Sequence, residues 1–355
     1  MKIGMMSAWS TDSGVAVHAE SIGRAWVKMG HSLTVFSFIM GDFHGAGITG
    51  EDEDYVIRCF GTQKRTDFLD PLPFLTTDFD IFVIQDLRML PVEKLARIFH
   101  MIKRRAKTIH IVHENRLPED AWFYQFDWDK VVYFDQRQKF LKAIYPDAEY
   151  IPFPCFEARS GDKTEAKKKL GLPLDKRIIY SFCQRGYDPY LLDLPREIKD
   201  KSILLHVVPK GYQMLEEISP SEWVIIRKED TLSCERFDDY LFASDITIFH
   251  KFQKKSRYHA VVSSTVFQAL GCGCPLFVPR RSDFFHPFQN EVIRYGDISE
   301  LNKKILELFE NEEKYQRVVK QAEGFVLMNS PEKIAKGYIE LFEGILGDRY
   351  GIAAR

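Results

Sequence analysis

Apolar and polar positions along the chain follow a regular pattern of short buried strands and amphipathic helices. At the start of the chain, an apolar run over 3–6 predicts a strand and a polar, turn-rich stretch over 7–14 predicts a loop. Apolar positions at helical spacing then predict a helix over 15–29, which Gly30 ends. A second apolar run over 33–38 predicts the next strand. Such a strand–loop–helix–strand unit favours parallel strands with right-handed crossovers.

The pattern continues in two series. In the first series, apolar runs predict strands over 55–60, 78–86, 107–115, 129–135 and 150–153, with helices over 91–105 and 136–144. The second series begins with a helix over 163–170 and predicts strands over 176–186, 202–211, 223–230 and 245–252, a helix–turn–strand piece over 264–279, and helices from 298 and 331. Pro152 and Pro154 stiffen the chain between the series and indicate a domain junction. We therefore predict an α/β protein with two Rossmann-like, doubly wound domains that face each other across a cleft.

Size and composition narrow the class of protein. At 355 residues the chain is too long for one ordinary core. The net charge of −2 gives no electrostatic argument for a nucleic acid partner. No apolar run approaches the roughly 20 residues that span a bilayer, and Lys2 leads directly into the first strand, which argues against a signal peptide. The six cysteines are scattered, and Cys272 and Cys274 lack a partner pair at zinc-site spacing, so we expect reduced thiols, no metal and a cytoplasmic location.

Ligands of open parallel sheets bind outside the carboxyl ends of the strands. This rule selects the segments 10–15, 85–86, 113–115, 184–186, 209–211 and 251–264. Gly14 stands at a helix start, where free N–H groups can hold a phosphate, although a simple turn explains a glycine there equally well. Ser263, Ser264 and Thr265 open another helix, with hydroxyl and N–H groups suited to an anion.

The ordered set of motifs resembles the GT-B glycosyltransferases, specifically the large retaining family (glycosyltransferase family 4-like) that uses nucleotide-sugar donors. The motifs are SGVAVHAESIGRAWVKMGH, DFDIFVIQD, IHIVHE, DKVVYFD, IPFPCF, FCQRG, DDYLFASDITIF, FQALGCGCPLFV and GDISELNKKILELFENEEKYQRV. They extend over nearly the whole chain. The resemblance implies an acceptor-side domain at 1–152, a donor domain at 153–328, and a final helix within 329–355 that crosses back to the first domain.

The resemblance also implies roles for single residues. Gly14, with Val15 beside it, matches the first-loop glycine that lets the backbone approach the donor phosphate or the acceptor. His113 matches a histidine that lies near the transferred sugar. Arg185 matches an arginine that contacts the diphosphate, where a guanidinium can pair two phosphate oxygens. Lys210 adds a cation at another strand exit.

Two departures from the family pattern concern the donor. The lysine that usually follows Arg185 is absent from 187–192. The acidic pair of the family is replaced by Gln268 at the ribose position and by Ala260 eight residues earlier. A basic loop that includes Lys254, Lys255 and Arg257 can supply the missing phosphate charge, or it is an ordinary solvated charge run.

Other polar and aromatic residues have less specific interpretations. His110 is expected to face away from His113 and to be structural. Glu114 and Asn115 are expected to cap the next helix. Trp9, Trp122, Phe123 and Tyr124 can stack on an acceptor sugar or simply fill the core. The basic end of the helix over 91–107 is expected to cap its own C-terminus, with at most peripheral membrane contact.

The predicted function is a glycosyltransferase that moves a sugar from a UDP-, GDP- or ADP-sugar to a hydroxyl of a carbohydrate or lipid-linked acceptor. The resemblance implies a retaining, metal-independent reaction without a tightly bound cofactor. Two alternatives stay open: a non-catalytic GT-B protein that binds a sugar or a protein, and a sugar-nucleotide epimerase or phosphorylase of the same architecture. A dehydrogenase is disfavoured because no G-x-G-x-x-G follows the first strand.

Overall fold

The computed structural model describes residues 1–40, 42, 50–62, 65–116, 118–182, 194–209, 222–229, 232–251 and 260–351. Within these ranges the chain forms two parallel-sheet α/β units. Unit 1 comprises Met1–Pro154, Tyr258–Val261 and Asn329–Arg355, and unit 2 comprises Cys155–Arg257 and Val262–Met328. The two doubly wound sheets confirm the predicted fold class.

The sheet of unit 1 contains seven parallel strands in the order β3-β2-β1-β4-β5-β6-β7. These strands are β1 (Lys2–Met6), β2 (Ser32–Phe38), β3 (Val56–Phe60), β4 (Ile81–Gln85), β5 (Lys107–Val112), β6 (Lys130–Tyr133) and β7 (Glu149–Tyr150). All five residues of β4 are buried, as expected for a central parallel strand that helices cover on both faces. The strand order reverses between β1 and β4, and doubly wound sheets bind ligands outside the strand ends at such a switch point.

The sheet of unit 2 contains six parallel strands in the order β10-β9-β8-β11-β12-β13. These strands are β8 (Arg177–Phe182), β9 (Ser202–Pro209), β10 (Val224–Glu229), β11 (Ile246–Ile248), β12 (Leu276–Pro279) and β13 (Ile293–Tyr295). The switch point of this sheet lies between β8 and β11. Both sheets therefore have the topology that alternating strand and helix signals predict.

The helices have the apolar stripes that the sequence pattern indicates. They are α1 (Gly14–Lys28), α2 (Pro71–Thr76), α3 (Val92–Arg105), α4 (Lys163–Lys169), α5 (Arg196–Lys199), α6 (Cys234–Phe242), α7 (Ser264–Ala269), α8 (Ile298–Glu310), α9 (Glu312–Met328) and α10 (Pro331–Gly351). The segment predicted as a helix over 136–144 is a 3-10 helix, Gln136–Ala143. The strand predicted over 150–153 is reduced to β7. No described helix is long and apolar enough to cross a membrane.

Helix α10 packs against α1 within unit 1. The indole N–H of Trp26 donates to the carbonyl of Ala335 at 3.2 Å. The Trp26 ring also contacts the rings of Tyr338 and Phe342, with centroids 5.9 and 5.4 Å apart. All three aromatic side chains are fully buried, so the end of the chain contributes directly to the core of the first unit.

The basic residues at the end of α3 lie in its last turn, and two of them also contact other parts of unit 1. Arg105 donates to the carbonyls of Phe74 and Leu75 at 2.7 and 2.8 Å, so it also caps the neighbouring helix α2. Lys103 pairs with the carboxylate of Asp127 at 2.6 Å. Both cationic side chains therefore connect α3 to other segments of unit 1.

None of the described cysteines forms a disulfide, and Cys59, Cys155, Cys272 and Cys274 are buried as expected. Cys234 departs from the expectation because it is exposed at the start of α6.

Two glycines are needed in the turn after α7, one for its backbone angle and one because the neighbouring chain lies too close for a side chain. Gly273 has φ +68°, which lies in the left-handed region that favours glycine. At Gly271 a Cβ atom would lie 2.5 Å from the carbonyl oxygen of Glu157, so only glycine allows the backbones to approach there. The sequence signal FQALGCGCP therefore marks a packed turn.

Candidate functional site

A cavity of 290 Å³ lies in unit 1 at the carboxyl ends of β4 and β5. Its lining residues follow these strands or lie close to their ends: Thr62, Asp86, Arg88, Met89, His113, Glu114 and Asn115. Strands β4 and β5 are hydrogen-bonded neighbours, and Gln85 is opposite Ile111. The residues just after the two strands therefore meet at one edge of the sheet, which is the edge that the strand-end rule selects.

Asp86 leaves β4 with an unusual backbone conformation. Its φ of 52° and ψ of 73° lie in the left-handed region. Aspartate tolerates this region better than most residues other than glycine, but the conformation still carries strain. It turns the chain sharply from the strand into the 3-10 turn Leu87–Met89. This turn places Asp86 and Arg88 on the cavity.

Gln85 links two histidines of unit 1. Its side-chain oxygen lies 2.9 Å from Nδ1 of His18 and 3.0 Å from Nε2 of His113. Because an amide oxygen can only accept, both ring nitrogens must carry a proton and donate. Nδ1 of His113 is therefore unprotonated, and within the described parts of the chain it has no hydrogen-bond partner. His113 can accept a hydrogen bond from a ligand hydroxyl through this nitrogen.

Both histidines are held in the neutral form. Burial lowers the pKa of His18 to about 4, against the opposing effect of its bond to Gln85. Burial also lowers the pKa of His113 well below its usual value, with further contributions from His18 and His110. His113 therefore acts near neutral pH as an uncharged hydrogen-bonding group.

Glu114 is the most unusual side chain at the cavity. It is 2% exposed, and neither carboxyl oxygen makes a hydrogen bond of good geometry among the described residues. The backbone N–H groups of Glu114 and Arg88 nevertheless lie close enough to lower its pKa. Burial, followed by the charge of Asp86, raises the pKa of Glu114 to about 8. Burial also raises the pKa of Asp86 to about 6, although the cation of Arg88 opposes this shift. Both pKa values are raised because two interacting carboxyl groups favour the state in which one of them is protonated.

The backbone beside Glu114 is held by buried hydrogen bonds. The amide of Gln138 donates to the carbonyls of Val112 and Glu114 at 3.1 and 3.0 Å. The N–H of Ala260 donates to the carbonyl of Asn115 at 3.0 Å, also within unit 1. Ala260, which the sequence analysis aligns with an acidic position of the resembling family, thus makes a backbone contact with a residue that lines the cavity.

The expectation that Glu114 and Asn115 cap the next helix is wrong. The next helical turn, Ala121–Tyr124, has Asp120 at its N-cap. His110 lies elsewhere in the core, where its ring packs against Phe123 and Trp128.

The predicted anion-binding residues of unit 1 open helix α1. Ser13 caps the helix by accepting from the N–H of Ala16 at 3.1 Å. Gly14 is exposed, Val15 is half-buried, and the first turn contains no acidic side chain. The N–H groups of Gly14 and Val15 precede the first intrahelical bonds, so this terminus retains its capacity for an anion.

Four of the donor-binding residues predicted in unit 2 lie in α7 or at its N-cap. Ser263 is the N-cap, but its hydroxyl makes no capping bond. Ser263, Ser264, Thr265 and Gln268 are all half-buried. The backbone carbonyl of Gln268 accepts from Arg159 at 2.8 Å, which leaves the side-chain amide outside this contact.

Four predicted cationic ligands, Arg185, Lys210, Lys254 and Arg257, lie outside the described residues, as does Lys255.

Only two of the four aromatic residues predicted to stack on an acceptor sugar are accessible for such a contact. Trp9 is fully buried, and its N–H donates to Glu53 at 2.8 Å. Phe123 is fully buried as well. Both therefore belong to the core, whereas Trp122 is half-buried and Tyr124 is exposed. The prediction that an acceptor stacks on these rings is therefore wrong for Trp9 and Phe123.

The sequence selected the segments 85–86 and 113–115 but missed the chemistry of Glu114 and the pairing of Gln85 with His18. An acidic residue directly after a strand was the available signal for Asp86 and Glu114. The burial that makes Glu114 unusual has no local signature, because residues distant in sequence supply it.

Comparison with known proteins adds evidence on family and fold. Residues 211–331 match a family profile described as "Glycosyl transferase-like".

Solved structures match over nearly the full chain. Sucrose-phosphate synthase from Thermosynechococcus elongatus has a TM-score of 0.69 at 12% identity, covering 98% of this chain and 100% of the other. HepE from Anabaena, in complex with UDP-glucose, has a TM-score of 0.66 at 13% identity, covering 97% and 100%. The pneumococcal O-GlcNAc transferase GtfA, in complex with UDP and GlcNAc, has a TM-score of 0.64 at 10% identity, covering 98% and 99%. These likenesses show that the chain has the GT-B fold.

Proposed function

We propose that this protein is a glycosyltransferase that moves a sugar from a nucleotide sugar to an acceptor hydroxyl. The observation that carries the proposal is the cavity after β4 and β5, where His113 is fixed in its neutral form with Nδ1 free to accept from a hydroxyl. The fold and the match of residues 211–331 to a glycosyl transferase-like family support the same interpretation.

The proposal keeps the domain division that the sequence predicts. Residues 1–152 form the acceptor-side domain and residues 153–328 the donor domain, while the last helix within 329–355 belongs with the first. A nucleotide sugar as co-substrate is supported by similar structures that contain UDP-glucose or UDP. The proposed donor is a UDP-, GDP- or ADP-sugar.

The donor is bound in this proposal by backbone and polar groups at two helix starts together with cations. The proposed donor ligands are Gly14, Val15, Arg185, Lys210, Lys254, Arg257, Ser263, Ser264, Thr265 and Gln268. The hydroxyl and N–H groups at the start of α7 suit phosphate oxygens, and the Gln268 amide can both donate to and accept from a ribose hydroxyl.

The proposed ligands can stabilise the charges that develop on the sugar and on the diphosphate during transfer. As the bond between the anomeric carbon and the phosphate oxygen breaks, the sugar gains oxocarbenium character and the diphosphate gains negative charge. Arg185 and the helix N–H groups stabilise the leaving group, and His113 positions the sugar. We further propose a family 4-like, retaining hexosyl transfer without a metal, to a carbohydrate or lipid-linked acceptor in the cytoplasm.

One observation favours a second candidate, a non-catalytic GT-B protein. The usual acidic pair is replaced by Ala260 and Gln268, and Ala260 is buried with its N–H bonded to Asn115. A protein that kept the fold and lost transfer would still bind a sugar or a partner.

A ligand panel separates the candidates. We expect one of UDP-, GDP- and ADP-glucose to raise the thermal unfolding temperature selectively and to be turned over with an acceptor. A shift without turnover would favour the binding protein, and turnover without an acceptor or with free phosphate would favour an epimerase or phosphorylase. No shift with any donor at millimolar concentration would contradict the proposal.

His113 provides the residue-level test. We expect His113→Ala to lower transfer about tenfold or more, because a positioning hydrogen bond is lost. His286→Ala is the matched control, because His286 is exposed on unit 2. Full activity of His113→Ala would remove this histidine from the proposed machinery.

A further inference from the structure

Another cavity of unit 1 has no part in the proposed function. It has a volume of 540 Å³ and lies between helix α10 and the end of the sheet that β6 and β7 form. On the sheet side it is lined by Lys130, Glu149 and Tyr150, and on the helix side by residues of α10. This cavity is called the α10 groove below. Strand β7 is the last strand of the sheet, so no described strand covers its outer edge.

Helix α10 has two faces with different contacts. Ala335, Tyr338 and Phe342 are buried on the face that packs against α1. The opposite face lines the groove with residues that recur every three or four positions: Lys333, Gly337, Glu340, Leu341 and Gly344. The helix therefore presents to the groove the side that the core of unit 1 does not use.

Gly337 and Gly344 are not required by packing within the described chain. A Cβ atom on either glycine would have no described neighbour within 4 Å outside the backbone of its own helix. Glycine is less favourable than alanine inside a helix, because it loses more conformational freedom on folding. Alanine would therefore fit at both positions and stabilise the helix. A second surface that approaches the backbone of α10 closely accounts for the two glycines.

The charges around the groove are balanced on both of its sides. The sheet side carries Lys130 and Glu149, whose charged atoms lie 3.7 Å apart, and the helix side carries Lys333 and Glu340. An anionic membrane surface would favour an excess of cations. An extended peptide added to β7 would meet only a two-residue edge followed by Pro152, which has no N–H. Both signs of charge on one surface suit a self-complementary contact.

We propose that the α10 groove is an interface between two copies of this chain, whose α10 helices pack antiparallel about a two-fold axis beside Gly337. In a two-fold interface the same surface of both copies meets. Lys333 and Glu340 are two helical turns apart, about 10 Å along the axis, and the midpoint between them lies beside Gly337. The antiparallel pair therefore places each Lys333 opposite Glu340 of the second copy, while the glycine lets the two backbones approach.

The proposed contact also covers apolar surface. Tyr150 is 37% exposed, and Leu341 and Ile345 are half-buried at the groove. Burial of these side chains against a second copy removes apolar area from water. Glu340 lies 3.8 Å from Lys336 on its own helix, and both side chains are largely exposed, so little is lost when Glu340 pairs with a cation of the second copy. This inference does not depend on the proposed glycosyl transfer.

Sedimentation velocity of the full chain over a range of concentrations tests the proposal. The wild type is expected to form a species of twice the mass of one chain as the concentration rises. Gly337→Leu is expected to raise the dissociation constant about tenfold or more, because its side chain occupies the space of the second helix. The open space at Gly337 and the higher helix propensity of leucine retain the fold, which thermal unfolding checks. Gly324→Leu, at an exposed position of α9, is the matched control and is expected to dimerise as the wild type does.

Charge reversal tests the antiparallel pairing itself. Lys333→Glu and Glu340→Lys are each expected to weaken dimerisation about tenfold, because each places like charges opposite one another at two symmetric positions. The double variant Lys333→Glu/Glu340→Lys restores opposite charges and is expected to regain the wild-type dissociation constant. Such a rescue distinguishes a contact between copies from a structural role within one helix. Lys320→Glu, at an exposed position of α9, is the control and is expected to change little.

Three outcomes would overturn the proposal. A monomer at every concentration would leave the groove to a different occupant, such as another protein. Wild-type dimerisation by Gly337→Leu would place the contact between copies elsewhere. Failure of the double charge variant to dimerise as the wild type does would reject the antiparallel pairing. None of these measurements involves a nucleotide sugar, so this proposal and the proposed transfer fail separately.

Discussion

The imidazole of His113 donates from Nε2 to the side-chain oxygen of Gln85 across 3.0 Å. The same oxygen accepts from His18, which is fully buried. One amide oxygen thus fixes the ring orientation and the tautomer of both histidines. His113 is the residue at the cavity, and Gln85 and His18 are the residues that position it.

Gln85→Leu should leave two buried N–H donors unpaired. We expect a loss of unfolding free energy of about 2–6 kcal/mol, because each of the two unpaired groups costs about 1–3 kcal/mol. Urea unfolding measures this loss. Gln125→Leu, at an exposed position, is the control and should change little. An unaltered stability of Gln85→Leu would show that the shared oxygen does not hold the histidines.

Ionisation of Glu114 should lower the stability of the folded protein as the pH rises. Its pKa is raised from 4.5 to about 8 in the folded protein, so the folded state holds this proton more tightly. The resulting stabilisation is complete below about pH 4.5 and is lost as the pH rises through 8. Glu114→Gln cannot titrate, so its unfolding temperature relative to the wild type should increase from pH 5 to pH 8.5. A constant difference in calorimetry would contradict the burial of an ionisable Glu114.

His110 should contribute to loss of stability in acid. Burial lowers its pKa to about 3, and neither ring nitrogen has a partner among the described residues. The unfolded chain takes up a proton near pH 6.5 whereas the folded protein does not, so stability falls as the pH decreases from 6.5 towards 3. We expect His110→Leu to be more stable than the wild type at pH 5, with a smaller difference at pH 8. His100→Leu, at an exposed position, should show no such dependence.

The contact between α10 and α1 should be a main source of stability for unit 1. Phe342 is fully buried against Trp26, and large-to-alanine changes of buried aromatic residues cost about 3–5 kcal/mol. We expect Phe342→Ala to lose that amount in denaturant unfolding. Leu327→Ala is the control because Leu327 is 65% exposed. Equal effects of the two variants would show that α10 is not part of the core.

Gly271→Ala should destabilise unit 2. The added methyl group would lie 2.5 Å from the carbonyl oxygen of Glu157, and such overpacking costs about 1–3 kcal/mol. Gly324→Ala in α9 is the matched control, because a methyl group added there would have no described atom outside its own helix backbone within 4 Å. That variant should gain about 0.5–1 kcal/mol from helix propensity. Opposite signs in thermal unfolding are the expected result.

Local patterns predicted most strands and the longer helices, whereas α2, α5, α6 and β13 were not predicted. The apolar run of β4 and the amphipathic spacing of α3 are properties of consecutive residues, so they predict the elements before any tertiary contact is known. The expected boundaries failed where local signals were weakest, as at β7, where two prolines follow a short apolar run. The 3-10 segment Gln136–Ala143 also contains Gln138, whose buried amide bonds to the carbonyl of Val112 in a distant part of the sequence.

The sequence by itself determined that two doubly wound sheets form and that His113 stands at a strand end, because strand and helix periods are local and parallel strands share one functional edge. Only the tertiary structure decided that Glu114 is buried without a hydrogen bond of good geometry among the described residues, that Gln85 serves two histidines, and that the N–H of Ala260 bonds to Asn115. These relationships depend on distances between residues far apart in the chain. Packing of the whole unit sets those distances, and no local pattern encodes them.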